Sequence, residues 1–259
     1  MGWRNKRNYD DYWPTADSNG GLQAESYAAY RLRYITDEHG DRVSNLKANE
    51  EDTAEQDILI LGDSSAFGLG VEGQYIFSEL LNQIPGYSTR NLSVVGYTCK
   101  QLAKKLKDLD IPQPESATTV IWCGINNIIH GIQKTYWGRI LDPTIENDYF
   151  SLISLAKERS SRVVLVTIPY HTLGEKYDNK LRNFNQFIRK TAESSGDFQL
   201  IDLEKKFIST DNNNISLYAE IDQLIGVIFH PSDHGHKIIA QEIASSLNPR
   251  PTKALPFFR

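Results

Sequence analysis

Four residues of this 259-residue chain stand where a nucleophile, a base and two hydrogen-bond donors would be needed. Ser64 lies in Gly62-Asp63-Ser64-Ser65-Ala66-Phe67-Gly68, directly after the apolar run Ile58–Leu61. Small residues at such a corner let the chain turn sharply from strand to helix and hold a hydroxyl into a cleft. The plainer reading is that Asp63, Ser64 or Ser65 caps the helix. Gly96 follows the short run Asn91–Val95. A glycine there exposes its N–H to developing negative charge, though by itself it reads as a turn glycine. Asn126, in Gly124-Ile125-Asn126-Asn127, offers a side-chain amide for the same purpose, or forms an Asx turn. His230 sits in a loop before Pro231 and Ser232, where proline keeps it out of the following helix. A neutral imidazole suits a base near pH 7, but a lone loop histidine is usually just solvated.

The elements between these residues set their relative positions. Ile58–Leu61, Asn91–Val95, Thr119–Cys123, Arg162–Ile168 and Phe198–Asp202 are short β-rich runs, the first apolar throughout and the fourth apolar over 163–166. Helical stretches separate them, at 76–84, 100–109, 149–160 and 181–192, and a last helix starts near Ser232. Leu152, Ile153, Leu155 and Ala156 form one apolar face, as do Phe184, Phe187 and Ile188. Strands alternating with helices predict a mostly parallel five-stranded sheet covered on both faces, a three-layer α/β/α sandwich. Such sheets place their chemistry at the carboxyl ends of the strands, where Ser64, Gly96 and Asn126 fall.

In order, the four are a serine after strand one, a glycine after strand two, an asparagine after strand three and a histidine before the last helix. This resembles the SGNH hydrolases, also called the GDSL esterase/lipase family. The matching blocks are Gly62-Asp63-Ser64, Asn91 to Gly96, Gly124-Ile125-Asn126 and His230-Pro231. The resemblance spans roughly residues 57–247 and implies a flavodoxin-like sheet. It also implies Ser64 as nucleophile, with Ser64 N–H, Gly96 N–H and the Asn126 side chain as oxyanion hole. His230 would move the proton, as in any Ser–His hydrolase. The implied substrate is a small or medium acyl ester, including a carbohydrate O-acetyl group, and no cofactor is expected. The same acyl-enzyme would also serve an acyltransferase.

One block departs from the family pattern. The family carries an aspartate three residues before the histidine, and here that position is Val227. Three readings follow: Asp222 or Glu220 reaches the imidazole, a backbone carbonyl near Val227 or Ile228 replaces the acid, or the site is degenerate and only binds. Asn127 also stands where the family has aspartate. His230, His234 and His236 lack the spacing of a metal set, so no metal is expected. Phe67, Tyr97, Tyr136, Trp137, Tyr170 and His171 lie in loops that would line a substrate pocket or belong to the core.

Residues 1–56 read as a polar annex with a short hairpin, Tyr30–Ile35 against Arg42–Leu46 around the turn at 37–40. Residues 47–56 read as its linker, 57–248 as the hydrolase domain and 249–259 as a tail. With 28 basic against 33 acidic residues and no long run of either sign, the chain lacks a nucleic-acid footprint. No uncharged apolar stretch is long enough to span a membrane. Its two cysteines, Cys99 and Cys123, are too few for a disulfide framework and read as small buried hydrophobes. Basic N-terminal residues without an apolar run behind them point to a cytoplasmic protein.

Overall fold

The chain is described by a computed structural model over residues 10–13, 32–43, 56–109, 117–129, 145–170, 172–210, 215–219, 222 and 228–247. The apolar run at 58–61 lies within β4 (Gln56–Gly62), hydrogen-bonded on both sides. Ile58, Leu59, Ile60 and Leu61 are all buried, because helices cover both faces of the sheet. The other strands of the sheet are β5 (Tyr87–Asn91), β6 (Thr118–Trp122), β7 (Arg162–Val166) and β8 (Phe198–Ile201). All pairings are parallel, and the order β5-β4-β6-β7-β8 matches the expected five-stranded sheet.

After β4 the chain adds β5 on one side and then crosses back to add β6 on the other. The connections therefore diverge at the carboxyl end of β4, the crevice where ligands of open α/β sheets bind. Ser64 stands there, first residue of the one-turn helix α1 (Ser64–Phe67). The remaining helices are α2 (Phe77–Asn82), α3 (Cys99–Asp108), α4 (Ile145–Arg159), α5 (Glu175–Ser195), α6 (Leu203–Thr210) and α7 (Asp233–Leu247). Leu152, Phe184, Ile188, Ile239 and Ile243 are buried against the sheet.

Some elements differ from the sequence expectation. The second strand spans Tyr87–Asn91, ahead of the apolar run at 92–95. It is an edge strand with one wet face, so its polar residues hide it. Leu92 and Val94 still donate their N–H groups to Ile60 and Gly62, at 2.9 and 3.0 Å. Helix α5 begins at Glu175, six residues earlier than the apolar face suggests, and α6 gave no periodic signal.

The hairpin forms as β2 (Leu32–Thr36) and β3 (Arg42–Val43), with β1 (Asp10–Trp13) as a third antiparallel strand. Asp37 Oδ1 accepts the His39 and Asp41 N–H groups across the turn, which closes at Gly40 with φ +81°. Gln56, read as linker, belongs to β4. Residues 47–55 and the tail lie outside the described residues. The hairpin docks on the sheet domain through buried Asp41, which accepts from Arg90 Nε at 2.9 Å and Lys105 Nζ at 3.0 Å.

Candidate active site

Asp63 caps α1, its carboxylate accepting the Ser65 N–H at 3.1 Å, so Ser64 begins a helix with its side chain turned to the crevice. Glycine is required at the preceding strand end: a Cβ on Gly62 would lie 2.3 Å from the Ala66 Cβ and 2.7 Å from the Trp122 carbonyl oxygen. Burial pushes the Asp63 carboxyl up to about 6, against N–H bonds from Ser65 and Gly124 and the attraction of nearby His230. Asp63 thus joins the Ser64 turn to the loop that follows β6.

His230 comes from a short antiparallel pairing. Ala219 donates to the His230 carbonyl at 2.7 Å, and Ser232 donates to the Leu217 carbonyl at 2.8 Å. This pairing brings Asp222, 1% exposed, beside the imidazole. Asp222 Oδ1 is 2.7 Å from His230 Nδ1, while Oδ2 accepts the N–H groups of Phe229 and His230 at 2.8 and 2.6 Å. With its proton on Nδ1 facing the carboxylate, the ring presents a bare Nε2 to Ser64 Oγ, 2.8 Å away. Of the three readings left open at Val227, the geometry matches a carboxylate from the preceding turn. Val227 and Glu220 lie outside the described residues.

Gly96 lies after β5 and Asn126 after β6, on the two strands that flank β4. Gly96 has φ +78° and open space where a Cβ would be. Asn126 Nδ2 donates to the Tyr97 carbonyl at 3.0 Å, crossing from the β6 loop to the β5 loop. Asn127 makes a second tie: its Oδ1 accepts the Cys99 N–H at 2.9 Å and its Nδ2 donates to Asp148 Oδ2 at 3.0 Å. The amide thus suits a place where the family carries aspartate, because a carboxylate already faces it. Cys99 and Cys123 are buried and free, and burial raises the Cys123 thiol well above its usual range.

The aromatic candidates separate. Phe67 is buried, 4% exposed, and stacks on Tyr34 of the hairpin, ring centroids 6.1 Å apart. Tyr97 and Tyr170 are half-buried at the edge of the core. Tyr136, Trp137 and His171 lie outside the described residues. His236 is fully buried, its Nδ1 accepting the Phe77 N–H at 3.3 Å, and burial with nearby Arg42 lowers it to about 3. Among the described residues no three His, Cys, Asp or Glu side chains are grouped to hold a metal. Nor is any described helix long and apolar enough to cross a membrane.

A doubly wound parallel sheet with a Ser–His–Asp relay at its switch point is the architecture of an α/β/α ester hydrolase. Comparison with known proteins places it more narrowly: residues 60–238 match the GDSL-like Lipase/Acylhydrolase family, and the chain belongs to that family. It is thereby an ester-cleaving hydrolase. Among solved structures, it is similar to a member of the lipolytic protein G-D-S-L family from Veillonella parvula. That pair has a TM-score of 0.61 at 16% identity, covering 73% of this chain and 97% of the other. The acetylxylan esterase Axe2 of Geobacillus stearothermophilus gives 0.57 at 17% identity, covering 75% and 95%. LAE5, an alpha/beta hydrolase from the metagenome of Lake Arreo, gives 0.57 at 18%, covering 74% and 95%. These identities establish the shared fold. No curated protein matches the chain by sequence.

Proposed function

We propose that the chain hydrolyses small acyl esters, carbohydrate O-acetyl groups among them, through an acyl-enzyme on Ser64. The observation that carries this reading is the unbroken relay from Ser64 Oγ through His230 to Asp222. His230 Nε2 takes the hydroxyl proton as Oγ attacks the ester carbonyl, and Asp222 stabilises the imidazolium that forms. The carbonyl π electrons move to oxygen, and that oxyanion is met by the N–H groups of Ser64 and Gly96 and by Asn126 Nδ2. Collapse expels the alcohol, protonated by His230. Water then repeats the sequence on the acyl-enzyme and returns the carboxylic acid and free Ser64.

Ser64 and His230 are 5% and 7% exposed, which favours a narrow approach and a short acyl group. Tyr97 and Tyr170 supply aromatic surface for the alcohol side, a use in keeping with the acetylxylan esterase among the similar structures. A fluorophosphonate probe is expected to label the wild-type protein and spare Ser64→Ala. Equal labelling of both overturns the mechanism. Hydrolysis of p-nitrophenyl acetate should exceed that of the octanoate, and acetylated xylo-oligosaccharides should release acetate.

A further inference from the structure

We propose that Tyr34 and Arg42, from the N-terminal hairpin, are positioning residues for Ser64, acting by holding the turn that closes its one-turn helix. A single helical turn has almost no stability of its own, so its geometry depends on what grips it. The grip on α1 from the sheet side is Asp63 at its start and Asn91, whose Nδ2 donates to the Ala66 carbonyl at 2.8 Å. On the other side the chain folds back on the nucleophile: Leu69 donates its N–H to the Ser64 carbonyl at 3.0 Å, and Val71 donates to Gly68 at 3.4 Å. The hairpin holds this returning segment at two points and the end of α1 at a third. Tyr34 Oη accepts the Gly70 N–H at 2.9 Å, Arg42 Nη2 donates to the Val71 carbonyl at 3.3 Å, and Tyr34 stacks on Phe67. The Arg42 guanidinium carbon lies 4.2 Å from the Tyr34 ring centroid and 5.2 Å from that of Phe67.

The way Arg42 is buried argues for position over stability. It is 2% exposed, and its Nε and Nη1 have no hydrogen-bond partner among the described residues. A buried, under-bonded cation costs more than an apolar side chain of the same volume would. A residue serving only to stabilise the hairpin contact would be better as methionine. What a methionine lacks is the directed N–H to Val71, the second from Nη2 to the Arg33 carbonyl at 3.4 Å, and the cation over Tyr34 and Phe67. The hairpin lies outside residues 60–238, the span of the family match, and reaches the Ser64 turn from there.

The inference takes Ser64 as the nucleophile, and two readouts separate its failure from failure of that reading. Arg42→Met, Arg42→Lys and Tyr34→Phe are compared with wild type by fluorophosphonate labelling rate, by thermal melting, and by amide hydrogen exchange over residues 64–71. Arg42→Met is expected to melt at or above the wild-type temperature yet label about 10-fold more slowly, since a displacement near 1 Å can cost up to about 10²-fold. Arg42→Lys should recover most of the rate. Tyr34→Phe, which keeps the ring stack and removes only the acceptor, should label several-fold more slowly, with exchange accelerated at 64–71 and unchanged in β6 and β7. Wild-type labelling rates in both Arg42→Met and Tyr34→Phe overturn the proposal, whatever their melting temperatures. If the probe fails to label wild-type Ser64, the hydrolytic mechanism falls, and exchange alone decides. Local acceleration then sustains the positioning role and wild-type exchange overturns it.

Discussion

Asp222 lies eight positions before His230 in the chain, yet its Oδ1 is 2.7 Å from the imidazole Nδ1. Its other oxygen is committed to two backbone N–H groups, those of Phe229 and His230. The carboxylate therefore fixes both the ring and the strand that carries it. In Asp222→Asn the single amide oxygen serves those N–H groups best, which turns the NH₂ toward Nδ1. The imidazole must then carry its proton on Nε2 and can no longer accept one from Ser64. The expected loss in kcat on a p-nitrophenyl ester is about 10³–10⁴-fold. KM and melting temperature should change little, and a variant within 10-fold of wild type would show that Asp222 is not the orienting acid.

Asn126 donates to the Tyr97 carbonyl at 3.0 Å, and its proposed second use is to stabilise the oxyanion on the Ser64 adduct. If its amide stabilises the oxyanion, Asn126→Ala should lower kcat by about 10²–10³-fold with KM nearly constant. If it only braces the Tyr97 loop, the change should appear as a lower melting temperature and a raised KM. Steady-state kinetics beside a thermal melt separates the two.

How much of this was legible from sequence follows from what each residue depends on. Ser64, Gly96 and Asn126 sit at strand ends, and strand ends are marked by where apolar runs stop. Asp222 shared one of three readings with Glu220 because its reach depends on the pairing of residues 217–219 with 230–232, which brings distant residues together without a local pattern. Phe67 was left between pocket and core for the same reason. A phenylalanine three residues past Ser64 fits either a pocket wall or the core until Tyr34, from a separate hairpin, is seen stacked on it. The strand at 87–91 escaped because an edge strand exposes one face and loses its apolar signature.

Asn127 explains a local departure from the family pattern and can be tested directly. Its Nδ2 donates to Asp148 Oδ2 while its Oδ1 accepts from Cys99. Asn127→Asp keeps the acceptor but sets a carboxylate against a carboxylate. The expected cost is about 1–3 kcal/mol at pH 7, seen as a melting temperature lower by several degrees. It should be largely recovered below about pH 4, where carboxyls protonate. Equal stability of the two proteins at pH 7 would refute the pairing.

Two buried groups give the pH dependence of stability opposite signs. His236, at about 3 in the folded chain against 6.5 unfolded, stays neutral inside. Its contribution is complete above pH 6.5 and is lost as pH falls toward 3, because the unfolded chain binds the extra proton. Asp63, at about 6 folded against 3.8 unfolded, resists ionising. Its contribution is complete below 3.8 and is lost as pH rises through 6. Between pH 7 and pH 4 each is worth roughly 3 kcal/mol at most, and the two nearly cancel. The substitutions should uncover them separately. His236→Asn, which keeps an acceptor for the Phe77 N–H, should gain stability on acidification, relative to its own value at pH 7. Asp63→Asn should lose stability over the same interval. Urea unfolding of wild type and both variants at pH 7, 5.5 and 4 measures this directly, and three parallel profiles would show that neither group carries the dependence.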